Sequence, residues 1–188
     1  YEQVPTEKLL FRYNRIRKRL KKYGFLDENG KLTAKGKFGT RIFANELIIS
    51  EVFSGEEFEQ LSEYQILLLL AALVYEPRER TIIKKTFPSK ELQALKKFLN
   101  GNEVTRKNKK FESLNDITAF VWPIYNGKTF FDVLELTSLL EGDMIRFYGQ
   151  ILDRIGQIRK AGVNSKIIMV MDNCQGVILN GMEGIYLV

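Results

Sequence analysis

The chain has 188 residues, 45% of them hydrophobic, which is enough for one large domain or two small ones with a real core. It contains no histidine and a single cysteine, Cys174. This composition excludes Ser-His-Asp and Cys-His catalytic machinery and argues against a structural zinc site, which needs several His or Cys ligands. The longest apolar run, residues 66–75, is shorter than the roughly 18 residues of a membrane span, so we expect no membrane contact.

The net charge of +6 is unevenly distributed along the chain. Residues 1–45 hold 12 basic and 4 acidic side chains, residues 46–80 hold 2 and 8, and residues 81–112 hold 9 and 3. Two basic blocks that flank an acidic one suit a polyanionic partner on one side and a basic partner on another. An ordinary solvated surface explains the same pattern about as well. The lone cysteine cannot form an internal disulfide, which favours an intracellular setting, cytoplasmic or, in a eukaryote, nuclear.

The first predicted helix begins near Thr6 and ends at Gly24. One apolar stripe repeats along it at helical spacing: Leu9, Tyr13, Ile16, Leu20 and Tyr23. A basic stripe lies beside it: Lys8, Arg12, Arg15, Arg19 and Lys22. Such a stripe suits phosphate binding, and Arg12, Arg15, Arg19 and Lys22 form a candidate basic surface. The alternatives are a solvated face or a docking surface for an acidic neighbouring domain.

The middle of the chain is also predicted to be helical. Asn29-Gly30 predicts a tight turn and one small β-hairpin near residues 25–32. Helices are expected over residues 33–45 and 46–53, then from a capping box at Ser62 to Tyr75, and from Ser89 to about residue 100. Residues 101–110 are polar, basic and without periodicity, so they are the best candidate for a mobile loop.

Four further helices are predicted towards the C-terminus. They cover residues 114–125, where Pro123 should kink or end the helix, then about 129–139, 142–161 and 165–181. The expected fold is therefore all-α, a multi-helix bundle with one long helix, and we treat residues 1–188 as a single domain. Because the sequence begins at Tyr1 rather than Met, we expect it to be a fragment of a longer protein.

The long helix over residues 142–161 is the most informative element. Its apolar stripe is formed by Met144, Tyr148, Ile151, Ile155 and Ile158. A polar face lies opposite and contains Arg146, Gln150, Asp153 and Gln157. Gly142, Gly149 and Gly156 recur every seven residues beside that face, although each glycine costs a helix roughly 0.5–1 kcal/mol relative to Ala. The glycines suggest that something approaches closely, either a nucleic acid or a tightly packed neighbouring helix.

Several segments carry motifs that can be compared with known families. Residues 45–55, with Phe58 and Leu61, are similar to the pattern D-E-L-L-L-T-E-L-L-F-S-G-x-F-x-x-L, and residues 141–146 are similar to E-G-D/S-L/I-I/V-R. Weaker matches occur at residues 20–25, 32–37, 71–76 and 185–187. Together these motifs resemble the C-terminal DSHCT helical domain of Ski2/Mtr4/HelY-like DExH-box RNA helicases, over nearly the whole chain.

This resemblance implies a function that periodicity alone could not suggest. The domain would be a non-catalytic accessory module of an ATP-dependent 3′–5′ RNA helicase, and its long "ratchet" helix would contact the translocating strand. The strand-contacting positions of the family fall on Gln150 and Asp153, with Arg146 one turn earlier; Gln157 completes the polar face. The family commonly has a basic residue where Gln150 stands, so a charge contact is replaced by a neutral one.

The resemblance also implies partners. RNA, expected to be single-stranded, and the RecA and winged-helix domains of the same helicase are the expected partners, together with RNA-decay or exosome-type cofactors. We expect no cofactor, metal or catalytic residue on this chain, since ATP and Mg²⁺ would bind to the RecA domains. Two other readings remain open: a protein-docking scaffold, and a stand-alone helical DNA-binding module.

Overall fold

The computed structural model describes residues 6–78, 80–162 and 164–185. Within these residues the chain forms the helices α1 Thr6–Lys22, α2 Ala34–Gly39, α3 Glu46–Phe53, α4 Glu63–Val74, α5 Lys90–Gly101, α6 Leu114–Tyr125, α7 Phe130–Leu134, α8 Glu141–Ala161 and α9 Ser165–Gly181. Two short 3₁₀ turns, Glu57–Gln60 and Lys109–Ser113, complete the regular structure of this part. The all-α prediction is therefore confirmed.

Side-chain caps begin many of these helices where the sequence predicts them. Ser62 accepts a hydrogen bond from the backbone N–H of Gln65, whose side chain in turn accepts one from the backbone of Ser62, which completes the predicted capping box. Thr33, Ser89 and Thr129 cap α2, α5 and α7 in the same position. A cap satisfies a backbone donor that would otherwise lack a partner, and each contributes about 1 kcal/mol to helix stability.

Helix α4 lies at the centre of the bundle. Every residue from Tyr64 to Val74 is buried, and α4 packs against α6, α8 and α9. A helix that is apolar on all sides can be stable only when other elements surround it, so α4 determines how the bundle is arranged. No helix of the described residues combines the length and apolar character that a membrane span requires.

The packing of α8 fixes which of its faces points outward. Its apolar stripe, Met144, Tyr148, Ile151, Ile155 and Ile158, is fully buried against α4 and α9. The Tyr148 hydroxyl donates a 2.7 Å hydrogen bond to the backbone carbonyl of Phe120 in α6. Because the buried stripe is held on one side, Arg146, Gln150 and Asp153 on the opposite side are turned away from the core.

The predicted hairpin near residues 25–32 is reduced to a single antiparallel bridge between Leu26 and Leu32. Gly30, with φ +81°, makes the turn, and the backbone N–H of Asp27 donates to the carbonyl of Lys31 at 2.9 Å. The Asn-Gly signal thus locates the turn correctly. One further backbone bond follows, from the N–H of Thr33 to the carbonyl of Phe25 at 3.1 Å, and the pairing ends there because Thr33 caps α2.

Helix α7 ends at Leu134, five residues earlier than predicted. The backbone of residues 136–138 pairs with residues 82–84: Lys84 N–H donates to Leu136 at 2.8 Å, and Ser138 N–H donates to Ile82 at 3.0 Å. This tertiary pairing uses backbone groups that a longer helix would need. The local pattern could not reveal it, because the two segments are more than fifty residues apart.

The segment predicted as a mobile loop, residues 101–110, forms a series of turns that lead into the second 3₁₀ turn. Thr105 is buried at its centre, and its hydroxyl donates to the carbonyl of Leu99 at 2.5 Å. Lys110 donates through Nζ to the carbonyl of Leu73 at the end of α4. The segment is therefore packed onto the bundle despite its polar composition.

Helix α1 forms as predicted, but its apolar stripe does not face the core. Residues 7–19 are all exposed, and Leu9, Tyr13 and Ile16 are each more than half accessible. Its C-terminal end is joined to the rest of the domain, since Nζ of Lys22 donates to Glu103 Oε1 at 2.7 Å and Phe25, just after the helix, is buried. The apolar C-terminal residues 185–188 would be expected to dock onto the bundle, but residues 186–188 lie outside the described residues.

Candidate nucleic-acid interface

The polar face of α8 brings the four predicted contact residues together. Arg146 and Asp153 are exposed, Gln150 is half-buried, and Gln157 is 8% exposed. Their spacing of four, three and four residues places all of them on one side of the helix, over about 16 Å of its length at 1.5 Å per residue. The face predicted from periodicity is therefore continuous and outward, except at its buried C-terminal end.

Gln157 forms that end, and both ends of its amide already have partners. Its Oε1 accepts a 2.9 Å hydrogen bond from the backbone N–H of Phe43, and its Nε2 donates to Asp153 Oδ2 at 2.7 Å. Because the carbonyl and the NH₂ group of this buried amide are both hydrogen-bonded, Gln157 has a structural role: it links α8 to the turn before α3. The predicted contact between Gln157 and RNA stays a prediction, and any such contact would compete with these bonds.

Asp153 has a second partner that the helical face did not indicate. Nη1 of Arg154 donates to the same carboxylate oxygen at 2.7 Å, and the Arg154 side chain is only 15% exposed. The Asp153 carboxylate is thus partly compensated, which reduces its repulsion of a phosphate group. Sequence reasoning missed Arg154 because adjacent residues do not share a helical face.

Arg146 and Gln150 line a shallow cleft of about 70 Å³ at the other end of the face. Arg78, from the segment after α4, closes one side of it and binds Asp143 with two hydrogen bonds of 2.6 Å. A guanidinium held in this bidentate geometry has a fixed orientation. Arg78 was not predicted, because no local pattern indicates a partner 65 residues away.

The three glycines of α8 line open space. A Cβ atom added to Gly142, Gly149 or Gly156 would meet no other atom of the described residues within 4 Å. The alternative in which a neighbouring helix packs tightly against these glycines is therefore wrong for the described part of the chain. What remains is a strip of low relief, next to the polar face, that is open to a partner.

The candidate basic surface lies on α1. Arg12, Arg15, Arg19 and Lys22 are all exposed. Lys22 donates to Glu103 Oε1 at 2.7 Å, and this hydrogen bond raises the pKa of Lys22 and lowers the pKa of Glu103. Because Lys22 is already paired, the three arginines are better placed than Lys22 to bind a phosphate. Whether the stripe binds RNA stays a prediction.

Comparison with known families gives one match, which covers most of the chain. The model of the DSHCT (NUC185) domain matches residues 29–181, which is most of the chain and includes α2 to α9. No curated protein gives a significant match. The match begins after α1, so the basic stripe lies outside it, whereas the whole of α8 lies within it. The chain belongs to the DSHCT domain family, the C-terminal domain of Ski2-like helicases, and is therefore a helicase accessory domain.

Proposed function

We propose that this domain contacts the RNA strand that a 3′–5′ Ski2-like helicase translocates, and that the outward face of α8 makes the contact. One observation carries the proposal: Arg146, Gln150 and Asp153 lie on one accessible face beside three glycines whose Cα atoms border open space. A strand could lie close against this strip, because no side chain rises from the glycines.

The groups on this face suit a strand that must move. Arg146 supplies a positive charge for a phosphate, and Gln150 offers both a donor and an acceptor. The contacts are few and partly neutral, so they would hold the RNA weakly and release it as it advances.

The chemistry of the helicase would occur elsewhere. We assign ATP and Mg²⁺ to the RecA domains of the parent protein, and we expect this domain to close the channel together with those domains and the winged-helix domain. RNA-decay or exosome-type cofactors are the further partners we propose. The role of this chain would be to position the strand and bias its direction.

Titration of the 188-residue chain with fluorescent RNA at low salt tests the proposal. We expect weak binding to a single-stranded uridine oligonucleotide, weaker binding to a duplex of the same length, and an affinity that falls as salt rises. A preference for duplex DNA would instead support the DNA-binding alternative. The absence of any RNA binding at low salt would reject the proposed contact.

Protein docking is a second candidate role, and the exposure of α1 favours it. Leu9, Tyr13 and Ile16 form an apolar stripe with arginines beside it, and none of the three packs on the core. Such a face suits an apolar, acidic surface of the same helicase. Two of the acids in residues 46–80 are less available to a basic partner, since Glu59 pairs with Lys166 at 2.8 Å and Glu63 accepts a 2.6 Å bond from Asn173. If the chain co-elutes with a Ski2-like helicase core and Ile16→Glu abolishes the co-elution, docking through α1 is supported. If Ile16→Glu co-elutes as well as the wild type, the apolar stripe of α1 is excluded as the docking surface.

A further inference from the structure

Phe43 is the most exposed large hydrophobic residue of the described chain. Its side chain is 84% accessible, whereas its neighbour Ile42 is 5% accessible and belongs to the core. The turn between α2 and α3 thus buries one of two adjacent apolar side chains and turns the other outward. An exposed phenyl ring does not contribute the stabilisation that its burial would give, so the exposure is consistent with a role in binding a partner.

The ring is held in place rather than being free to move with a loose loop. The backbone N–H of Phe43 donates to Gln157 Oε1 at 2.9 Å, Ile42 anchors the turn from within the core, and Asn45 ends it with φ +56°. Because Gln157 lies on the polar face of α8, Phe43 stands at the C-terminal end of that face.

We infer that Phe43 is a stacking platform for an unpaired base of the strand that follows α8; this inference rests on the proposed function. Aromatic side chains stack on bases of any sequence, which suits a strand that slides. Arg41, two residues earlier, is exposed and could bind an adjacent phosphate.

The surroundings of the ring favour a nucleotide over a protein as its occupant. Thr40 and Arg41 are exposed polar neighbours, and the polar face of α8 adjoins the turn. A protein partner would be expected to bury several apolar groups together. A single aromatic ring beside polar groups and one cation, Arg41, instead resembles the stacking positions of single-strand binding grooves.

The experiment compares two oligonucleotides of about 12 nucleotides, one of uridines and one with the same backbone but without bases. Both are titrated into the 188-residue chain and into the variants Phe43→Ala, Phe43→Trp and Phe131→Ala. Phe131 is the control: it is 59% exposed on α7, whose Phe130 contacts Tyr148 on the opposite side of α8 from the polar face. Because Phe43 is so exposed, we expect Phe43→Ala to leave the urea midpoint of unfolding unchanged.

Phe43→Ala should weaken uridine binding about fivefold or more, the loss expected when one stacked base is removed, and should not change binding of the abasic strand. Phe43→Trp should retain affinity, and Phe131→Ala should behave as the wild type. If the wild-type chain binds the uridine strand and Phe43→Ala binds it equally well, the stacking inference alone is overturned. An equal loss on both strands would also overturn it. A wild-type chain that binds neither strand would overturn both the inference and the proposed function.

Discussion

The hydroxyl of Tyr148 donates a 2.7 Å hydrogen bond to the backbone carbonyl of Phe120, although neither group is accessible to solvent. This bond ties α8 to α6 and, with the apolar stripe, fixes the rotation of α8 about its own axis. This rotation places Arg146, Gln150 and Asp153 on the outward side of α8. Burial also raises the pKa of Tyr148, so the phenol remains a donor throughout the pH range in which the protein is studied.

Replacing this tyrosine tests how strongly the bond holds α8. Tyr148→Phe should lower the free energy of unfolding by about 1 kcal/mol, the typical net contribution of a hydrogen bond, and urea denaturation would measure it. Tyr64 supplies a matched control, since it is equally buried but its hydroxyl has no partner among the described residues. Tyr64→Phe should therefore be neutral or stabilising. Equal destabilisation by the two changes would contradict the role of the Tyr148 bond.

The open glycines of α8 give a prediction in the opposite direction. Gly149→Ala should raise the stability of the domain by about 0.5–1 kcal/mol, because alanine favours the helix and its methyl group meets open space. It should also weaken RNA binding, since the strand could no longer approach the helix as closely. Gly176→Ala in α9 is the control: its Cβ also meets open space, so it should stabilise without affecting RNA. A Gly149→Ala variant that binds RNA as well as the wild type would mean that the low-relief strip has no part in the contact.

Cys174 should be unreactive in the folded protein. It is fully buried in α9, and burial raises the pKa of its thiol to about 12. Thiolate is the reactive form, and at pH 8 almost all of this thiol is protonated as well as inaccessible. Labelling with a chromogenic disulfide reagent should be slow in buffer and rapid in concentrated urea. Fast, stoichiometric labelling of the native protein would show that α9 is not packed as described.

The parts of this molecule that follow from local pattern could be predicted from the sequence. The helical period indicated the buried stripe and the polar face of α8, and the Ser62 and Thr33 caps located helix starts correctly. Such features depend on residues within about four positions of each other, where helix geometry determines which side chains lie on the same face.

Contacts between distant segments could not be predicted in this way. Phe43 and Gln157 are 114 residues apart, and Arg78 and Asp143 are 65 apart, yet these pairs define the two ends of the candidate interface. The early end of α7 likewise depends on pairing with residues 82–84. The exposure of the α1 stripe could not be predicted for a related reason. An amphipathic pattern indicates that a helix has an apolar face that favours burial, but it does not indicate whether the surface that buries it belongs to the same chain.

The affinity of a charge-reversed α8 face for RNA tests the central claim most directly. The double variant Arg146→Glu with Gln150→Glu is compared with a control double variant, Gln93→Glu with Lys97→Glu. The control makes the same charge change at the same spacing on the exposed face of α5. We predict that the α8 variant loses about tenfold in affinity for single-stranded RNA, while the α5 variant changes little. The slope of log affinity against log salt concentration should also fall by about one for the α8 variant, which corresponds to the loss of one phosphate contact. Equal affinities of the two variants, at equal stability, would contradict the assignment of α8 as the RNA-contacting helix.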